Sequence, residues 1–211
     1  MAIKVESESF SHGDRVPHEH ALGVPDGSGK AKAGGGNRSP HLRWSGHPPE
    51  TRSFALVCVD PHVPGDPTDV NQEGRTVPDE LPRVDFAHWV VADIPPDVTE
   101  LPEGAGSDGI VAGGKPTGGT GFGGVTGSNN FTDLFEGDPE MGGTYGNYDG
   151  PFPPWNDERV HHYHFRIYAL DTPSVGLSGD FTLEHLTAAI EGHVLDQGEL
   201  VAHYTVNADL L

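Results

Sequence analysis

Two short runs of apolar residues stand out in an otherwise polar chain. Ser53–Asp60 (SFALVCVD) is almost wholly apolar, and Phe86–Ile94 (FAHWVVADI) has the same character before a Pro-Pro pair ends it. Continuous apolar runs of this length are typical of strands that are covered on both faces. Within them we interpret Cys58 as a small buried apolar group and Trp89 as a core residue.

An alternating pattern predicts a strand with two different faces at His161–Asp171 (HHYHFRIYALD). Side chains alternate across a strand, so one face is expected to carry Tyr163, Phe165 and Ile167, and the other His162, His164 and Arg166. Ala202–Val206 is a candidate final strand.

One α-helix is signalled near the end of the chain. Thr182 can serve as its N-cap, and Phe181 can pack on Leu186 as a hydrophobic staple. The helical stripe consists of Leu183, Leu186, Ile190 and Val194. This spacing predicts a helix that passes Val194 and stops at Gly198. A shorter helix is predicted near Asn130–Phe135.

Three segments lack an apolar period and are expected to be loops. Residues 23–36 are rich in glycine, but they are not a phosphate-binding P-loop, because Gly29-Lys30 is followed by Ala31 rather than Ser or Thr. Residues 65–84 and 110–131 are longer. Loops of that length inside a domain are usually functional lids or disordered segments, and the pattern leaves both possibilities open.

Composition supports a loop-rich β protein. The 211 residues are 34% hydrophobic and include 30 Gly and 19 Pro. A chain of this length can bury a substantial core, so a single domain over residues 1–211 is expected.

The net charge of the chain restricts the classes of partner that it can bind. With 32 Asp and Glu against 12 Lys and Arg, the formal net charge is −20. Nucleic acid and anionic membranes would be repelled, and we expect no nucleic-acid partner. The acidic surface is typical of a halophilic protein, since molar salt shortens the Debye length to about 3 Å. An ordinary acidic bacterial protein is equally compatible with this composition.

Features of export and membrane insertion are missing from the pattern. Met1–Phe10 lacks the basic start and apolar run of a secretory signal, and the lone Cys58 cannot form an internal disulfide. No stretch approaches the roughly 20 apolar residues that span a bilayer. We therefore expect no transmembrane segment and a cytoplasmic location.

Polar residues interrupt the apolar strands at three places. His88 lies in the middle of its strand, and Asp60 closes the strand before it. The segment YDGPFPP (148–154) precedes the strand that contains His161 and Tyr163. Burying such groups without partners is costly, so they are expected to bond to each other or to a ligand.

These motifs, taken in order, resemble the phosphatidylethanolamine-binding protein (PEBP) family. DPHVP (60–64), FAHWVVADIP (86–95), YDGPFPP (148–154) and HHYHFRIYALD (161–171) are similar to the family's DPDxP, HW, GxPP and HRY-F-x-LYALD motifs. NRSPHLRWSG (37–46) resembles the family's SPxLxW segment. The resemblance covers about residues 37–206 and points to the prokaryotic, Raf-kinase-inhibitor-like subgroup.

The resemblance implies a fold and a site. The fold is mainly β, a large antiparallel or mixed central sheet packed against a smaller sheet, with a C-terminal α-helix. The implied pocket takes a phosphate-like anion and is built from Asp60, His62, His88, Gly150, Pro153, His161 and Tyr163. Imidazoles and a tyrosine hydroxyl can donate hydrogen bonds to an oxyanion, and a nearby aspartate would favour charged imidazoles.

Two positions depart from the family pattern. His62 replaces the second acid of DPDxP, and His162 replaces the arginine of HRY. An additional imidazole makes the pocket less negative, which favours an anion or a metal. The 65–84 segment resembles an insertion of the prokaryotic subgroup and is expected to cover the pocket.

We therefore predict a non-enzymatic protein that binds a small anion, needs no cofactor and forms a homodimer. Two alternatives remain open. Zinc or nickel could be held by Asp60, His62, His88 and His161, with or without hydrolase activity. Alternatively, the protein could regulate a partner by contact, as kinase- or protease-inhibiting relatives do.

Overall fold

The computed structural model describes residues 3–211, and strands dominate it. The strands of its first half are β1 (Lys4–Glu6), β2 (Gly23–Pro25), β3 (Ala31–Ala33), β4 (Leu42–Ser45), β5 (Ser53–Pro64), β6 (Arg83–Ile94) and β7 (Glu100–Leu101). The later strands are β8 (Gly114–Lys115), β9 (Gly118–Gly119), β10 (Val125–Thr126), β11 (Thr144–Tyr145), β12 (His161–Leu170) and β13 (Val194–Tyr204). The α-helices are α1 (Phe131–Leu134) and α2 (Leu183–Ile190), and short 3₁₀ turns lie at His18–His20 and Ala208–Leu210.

A six-stranded antiparallel sheet forms the centre of the fold. Its strand order is β13-β12-β5-β6-β10-β9. The three long apolar or alternating segments of the sequence are adjacent in it, because β5 pairs with both β12 and β6. The mainly β fold with a large central sheet is thus confirmed.

One face of this sheet packs against a smaller, three-stranded sheet of order β1-β4-β7. The main core lies between them, where Trp44 and Leu101 of the small sheet meet Phe54, Trp89 and Phe165 of the large one. Cys58 also belongs to this core, and burial raises its pKa well above the ordinary value, so the thiol is a neutral apolar group there.

Helix α2 covers the opposite face of the large sheet. Phe181, Leu186 and Ile190 pack on strand residues such as Val57 and Val90. The helix begins after Thr182, whose backbone N–H donates to the Nδ1 of His185 at 3.2 Å. No helix of residues 3–211 is long and apolar enough to cross a membrane.

The end of α2 differs from the sequence expectation. The helix stops at Ile190, Gly192 adopts a φ of 81°, and Val194 starts β13. Gly198 lies inside that strand, opposite Ile167. The final strand therefore runs over Val194–Tyr204 rather than 202–206, because hydrogen bonding to β12 outweighs the continued helical spacing of the apolar residues.

The expected loops also contain short strands. Residues 23–36 form the β2–β3 hairpin, and 110–131 contain β8, β9 and β10. The insertion is a true loop, but it is shorter than expected because β5 extends to Pro64 and β6 begins at Arg83.

Candidate ligand pocket

A bulge in β6 determines the position of His88. In the pairing with β5, Trp89 lies opposite Cys58 and Ala87 lies opposite Val59. His88 is therefore an extra residue between two paired positions, which is the definition of a β-bulge. Bulges re-aim side chains, and here the ring of His88 lines a cavity at this end of the sheet.

A second bulge lies in β5. Asp60 is opposite Phe86, whereas Val63 is opposite Val84, so β5 has one more residue than β6 over this stretch. As a result, Asp60 and Val63 both line the same cavity, although strict alternation would place them on opposite faces.

The cavity has a volume of about 380 Å³. Its polar lining comes from Asp60, His88, Tyr163 and Asn71. The remaining lining is apolar and comes from the ends of β5 and β6 (Val63, Pro64, Phe86), the 65–82 loop (Pro67, Val70), the α1 region (Phe131, Leu134, Phe135) and a proline segment (Phe152, Pro153, Pro154). A concave apolar pocket with few convergent polar groups is the usual form of a small-molecule site.

His161 lies behind the cavity in a buried chain of charges. Its Nδ1 is 2.6 Å from Oδ2 of Asp60, and its Nε2 is 3.1 Å from Oδ2 of Asp157. Arg83 completes the chain with two hydrogen bonds to Asp157, of 2.5 and 3.0 Å. Two carboxylates are thus balanced by a guanidinium and an imidazolium.

These partners change the expected role of His161. Burial disfavours the charged ring, but hydrogen bonds and charges of Asp157 and Asp60 outweigh it and raise the pKa of His161 to about 9. The expected charged imidazole is therefore present. However, both of its ring nitrogens are engaged by carboxylates, so it can orient Asp60 but cannot donate to a ligand as the sequence suggested.

His88 is the opposite case, a neutral imidazole. Its Nδ1 lies 2.7 Å from the carbonyl oxygen of Asp149, which can only accept a hydrogen bond, so Nδ1 carries the proton. Burial lowers the pKa of His88, despite the raising effect of Asp60. At neutral pH the remaining nitrogen, Nε2, is an acceptor rather than the expected donor.

Tyr163 contributes the donor. The side chain is 1% exposed, and its hydroxyl forms no hydrogen bond of normal geometry to any residue of the described chain. Its ring packs edge-to-face against His88, with 5.1 Å between the centroids. Burial and then the charge of Asp60 raise the pKa of Tyr163 well above its ordinary value, so the hydroxyl keeps its proton.

Asp60 is ionised. Burial opposes its charge, but the hydrogen bond from His161 and the nearby positive charge lower its pKa. The backbone N–H of His62 adds a further hydrogen bond of 2.8 Å to Oδ1. The polar end of the cavity therefore presents one carboxylate, one imidazole lone pair and one phenolic hydroxyl.

Gly150 is a supporting position outside the cavity lining. A Cβ there would collide with the carbonyl oxygen of His20, so only glycine fits. The Gly150 N–H donates to Oδ1 of Asn37 at 2.8 Å. The neighbouring Asp149 is held by Lys115 at 2.5 Å and by Asn129 at 2.9 Å, which fixes the carbonyl that orients His88.

The structure thus brings four of the seven predicted residues to the cavity: Asp60, His88, Pro153 and Tyr163. His161 and Gly150 support them from behind. His62 is not in the lining, and its ring packs instead against His162, with centroids 5.1 Å apart. The sequence analysis did not identify the apolar side chains of the α1 region as pocket residues, because the sequence pattern there predicted only a short helix.

The metal set considered as an alternative is not assembled in the structure. Within residues 3–211, no group of three or more His, Cys, Asp or Glu side chains is placed to hold a metal ion. The physical reason is that both ring nitrogens of His161 are bonded to carboxylates and the Nδ1 of His62 accepts from the backbone N–H of His162 at 3.2 Å.

The chain is thus a β protein in which two bulged strands and a proline segment meet at one cavity. The chain belongs to the phosphatidylethanolamine-binding protein family, whose model matches residues 6–205. The match begins earlier in the chain than the motifs suggested.

Relatives from archaea and bacteria agree with this assignment. A protein of Methanothermobacter thermautotrophicus, described as a UPF0098 protein, is 32% identical over 202 residues, which is 96% of this chain and 98% of the relative. YbhB of Escherichia coli is 32% identical over 169 residues, covering 80% of this chain and 78% of its own.

Solved structures show the same fold. Escherichia coli YbcL, described as a new member of the mammalian PEBP family, superposes with a TM-score of 0.68 at 25% identity, covering 98% of this chain and all of that one. The Chlamydia trachomatis protein CT736, described as a putative PEBP homolog, gives a TM-score of 0.63 at 25% identity and covers 96% of this chain and 97% of its own.

Proposed function

We propose that the cavity binds a small oxyacid anion, such as a phosphoryl group, in a singly protonated form and without chemical conversion. The observation that carries this proposal is the buried Tyr163 hydroxyl, which makes no hydrogen bond of normal geometry within residues 3–211 and lines the cavity together with Asp60 and His88. A buried polar group without a partner costs free energy, and a bound acceptor would remove that cost.

The protonation state of the ligand follows from the groups around it. A singly protonated phosphoryl group can accept from the Tyr163 hydroxyl and donate its own O–H to Nε2 of His88. A fully ionised one would only add negative charge beside the Asp60 carboxylate. The family name supports a phosphoryl ligand, because it refers to a phosphorylated headgroup.

Binding is expected to strengthen at mildly acidic pH. As pH falls through about 6, the second pKa of phosphate monoesters, the dianion takes up one proton and becomes the singly protonated form. His88 also takes up a proton in acid, and burial holds its pKa below the ordinary 6.5. Once charged, its Nε2 becomes a donor, so both changes favour an anion in the pocket.

Tyr163→Phe is the most direct test. Removing the hydroxyl should weaken the binding of phosphate and phosphoethanolamine several-fold in calorimetric titrations between pH 5 and 8. Stability should change little, because the hydroxyl makes no hydrogen bond of normal geometry within residues 3–211. Tyr204→Phe is the matched control, since that buried hydroxyl donates to the carbonyl of Gly23 at 2.9 Å outside the cavity. It should cost about 1 kcal/mol of stability and leave phosphate binding unchanged.

Two results would count against the proposal. Unchanged phosphate affinity in Tyr163→Phe would remove the hydroxyl from the site. Binding that appears only after zinc is added would favour the metal alternative instead. A nucleophilic role for the same tyrosine is disfavoured, because its raised pKa keeps it protonated at neutral pH.

A further inference from the structure

The cavity is much larger than its polar end requires. The convergent polar groups Asp60, His88 and Tyr163 form only part of the lining, whereas the 65–82 loop, apart from Asn71, and the α1 region supply apolar walls. A bare phosphate would leave most of the roughly 380 Å³ to water against these walls. Water is poorly accommodated where it has no polar partners, so the shape of the cavity calls for a ligand with an apolar part.

The wall formed by the 65–82 loop is held in place. Asn156 donates from Nδ2 to the carbonyl oxygens of Asp69 at 2.8 Å and Arg75 at 3.0 Å, and its Oδ1 accepts from the N–H of Asn71 at 2.9 Å. The N–H of Trp155 donates back to Oδ1 of Asn71 at 3.0 Å. These bonds place Pro67 and Val70 over the cavity as preformed walls.

The opposite wall exposes apolar surface that a ligand could cover. Leu134, at the end of α1, is 56% exposed while also lining the cavity. Phe135 follows it and stacks on Phe131, with 5.6 Å between ring centroids. An exposed leucine beside stacked aromatic rings at the mouth of a pocket is the kind of surface that hydrophobic ligand groups bury.

We infer that the ligand is a soluble organic phosphomonoester, whose phosphoryl group lies at Asp60, His88 and Tyr163 and whose apolar substituent lies between Leu134 and the 65–82 loop. The inference rests on the proposed function for its phosphoryl end. A free ester fits better than a lipid embedded in an anionic bilayer, because the net charge of −20 repels such a surface.

Methyl phosphate and hexyl phosphate form a matched pair of probes, since they share the head group and differ only in the apolar part. In calorimetric titrations of the full chain, hexyl phosphate should bind at least tenfold more tightly. Leu134→Ser should reduce the ratio of the two affinities several-fold. Leu195→Ser, at a leucine that is 39% exposed on β13 and outside the cavity lining, is the control and should not change the ratio.

The possible failures are distinguishable. If both esters bind equally, the apolar subsite is wrong while the phosphoryl site stands. If neither binds, the proposed function fails and the inference fails with it.

Co-sedimentation with phosphatidylcholine vesicles that contain phosphatidic acid tests the third possibility, a lipid ligand. We expect no protein to sediment with these vesicles. Stable sedimentation with them would overturn the inference of a soluble ligand and favour a lipid headgroup.

Discussion

At the scale of single residues, His161 links the stability of the fold to pH. Its folded pKa of about 9 exceeds the ordinary 6.5, so folding favours its protonated form. The stability this provides is complete below about pH 6.5 and is lost as pH rises through 9. Asp60 and Asp157 have lowered pKa values, so their contribution is lost at the acid end instead.

We expect the free energy of unfolding to fall by up to about 3 kcal/mol between pH 6.5 and 9.5 because of His161. Chemical denaturation at a series of pH values measures this slope, and His161→Gln should flatten it. An NMR titration of the His161 ring in the unmodified chain is a second measurement. An ordinary pKa near 6.5 there would contradict the charged chain Asp60–His161–Asp157.

The motif resemblance selected Asp60, His88 and Tyr163, which line one cavity in the structure, but it could not assign their chemical roles. Those roles depend on partners far along the chain: the Asp149 carbonyl makes His88 an acceptor, and Asp157 occupies the second nitrogen of His161. Protonation and tautomer follow from three-dimensional neighbours, which residue types and spacing do not specify.

At the scale of elements, the two bulges explain most of what sequence patterns could not predict. Apolar runs located β5 and β6, yet strict alternation would not direct both Asp60 and Val63 to one cavity. A bulge depends on how two strands pair, so neither strand's own sequence reveals it. The early end of α2 has a similar cause, because pairing with β12 decides where β13 begins.

The attachment of the 65–82 loop can be tested at Asn156. In Asn156→Asp the acceptor for Asn71 remains, but the Nδ2 donor to Asp69 and Arg75 is replaced by a carboxylate facing carbonyl oxygens. We expect a loss of about 2 kcal/mol in unfolding free energy and faster proteolysis within residues 65–82. Hexyl phosphate should also bind more weakly, because the loop forms a wall of its subsite.

Asn130→Asp is the control for this experiment. Its Oδ1 accepts from the N–H of Ala87 at 2.7 Å, and a carboxylate can make the same bond. Stability and proteolysis should remain close to those of the unmodified chain. If Asn156→Asp behaved in the same way, the loop would be held by other contacts.

At the scale of the whole molecule, the charge of −20 gives no information about the fold but predicts a response to salt. Exposed carboxylates repel one another at low ionic strength, and molar salt screens them to about 3 Å. The melting temperature should therefore rise by several degrees from low-salt buffer to molar KCl, and sucrose at equal osmolarity should give a smaller rise. A flat curve in KCl would contradict a halophilic origin.

The expected homodimer and cytoplasmic location also belong to this scale and stay predictions. Light scattering in low and molar salt would measure whether the chain forms a dimer. Repulsion between two chains of charge −20 should weaken their association when salt is low.

The buried chain of Arg83, Asp157, His161 and Asp60 has a consequence for how this sequence can diverge. Each member neutralises its neighbours, so replacing one alone leaves an uncompensated charge in the interior. Substitutions there are expected to be inherited together, with loss of the arginine accompanied by loss of the aspartate it binds. Homologues should therefore either keep all four groups or exchange them as a set, which gives these positions a shared evolutionary signature.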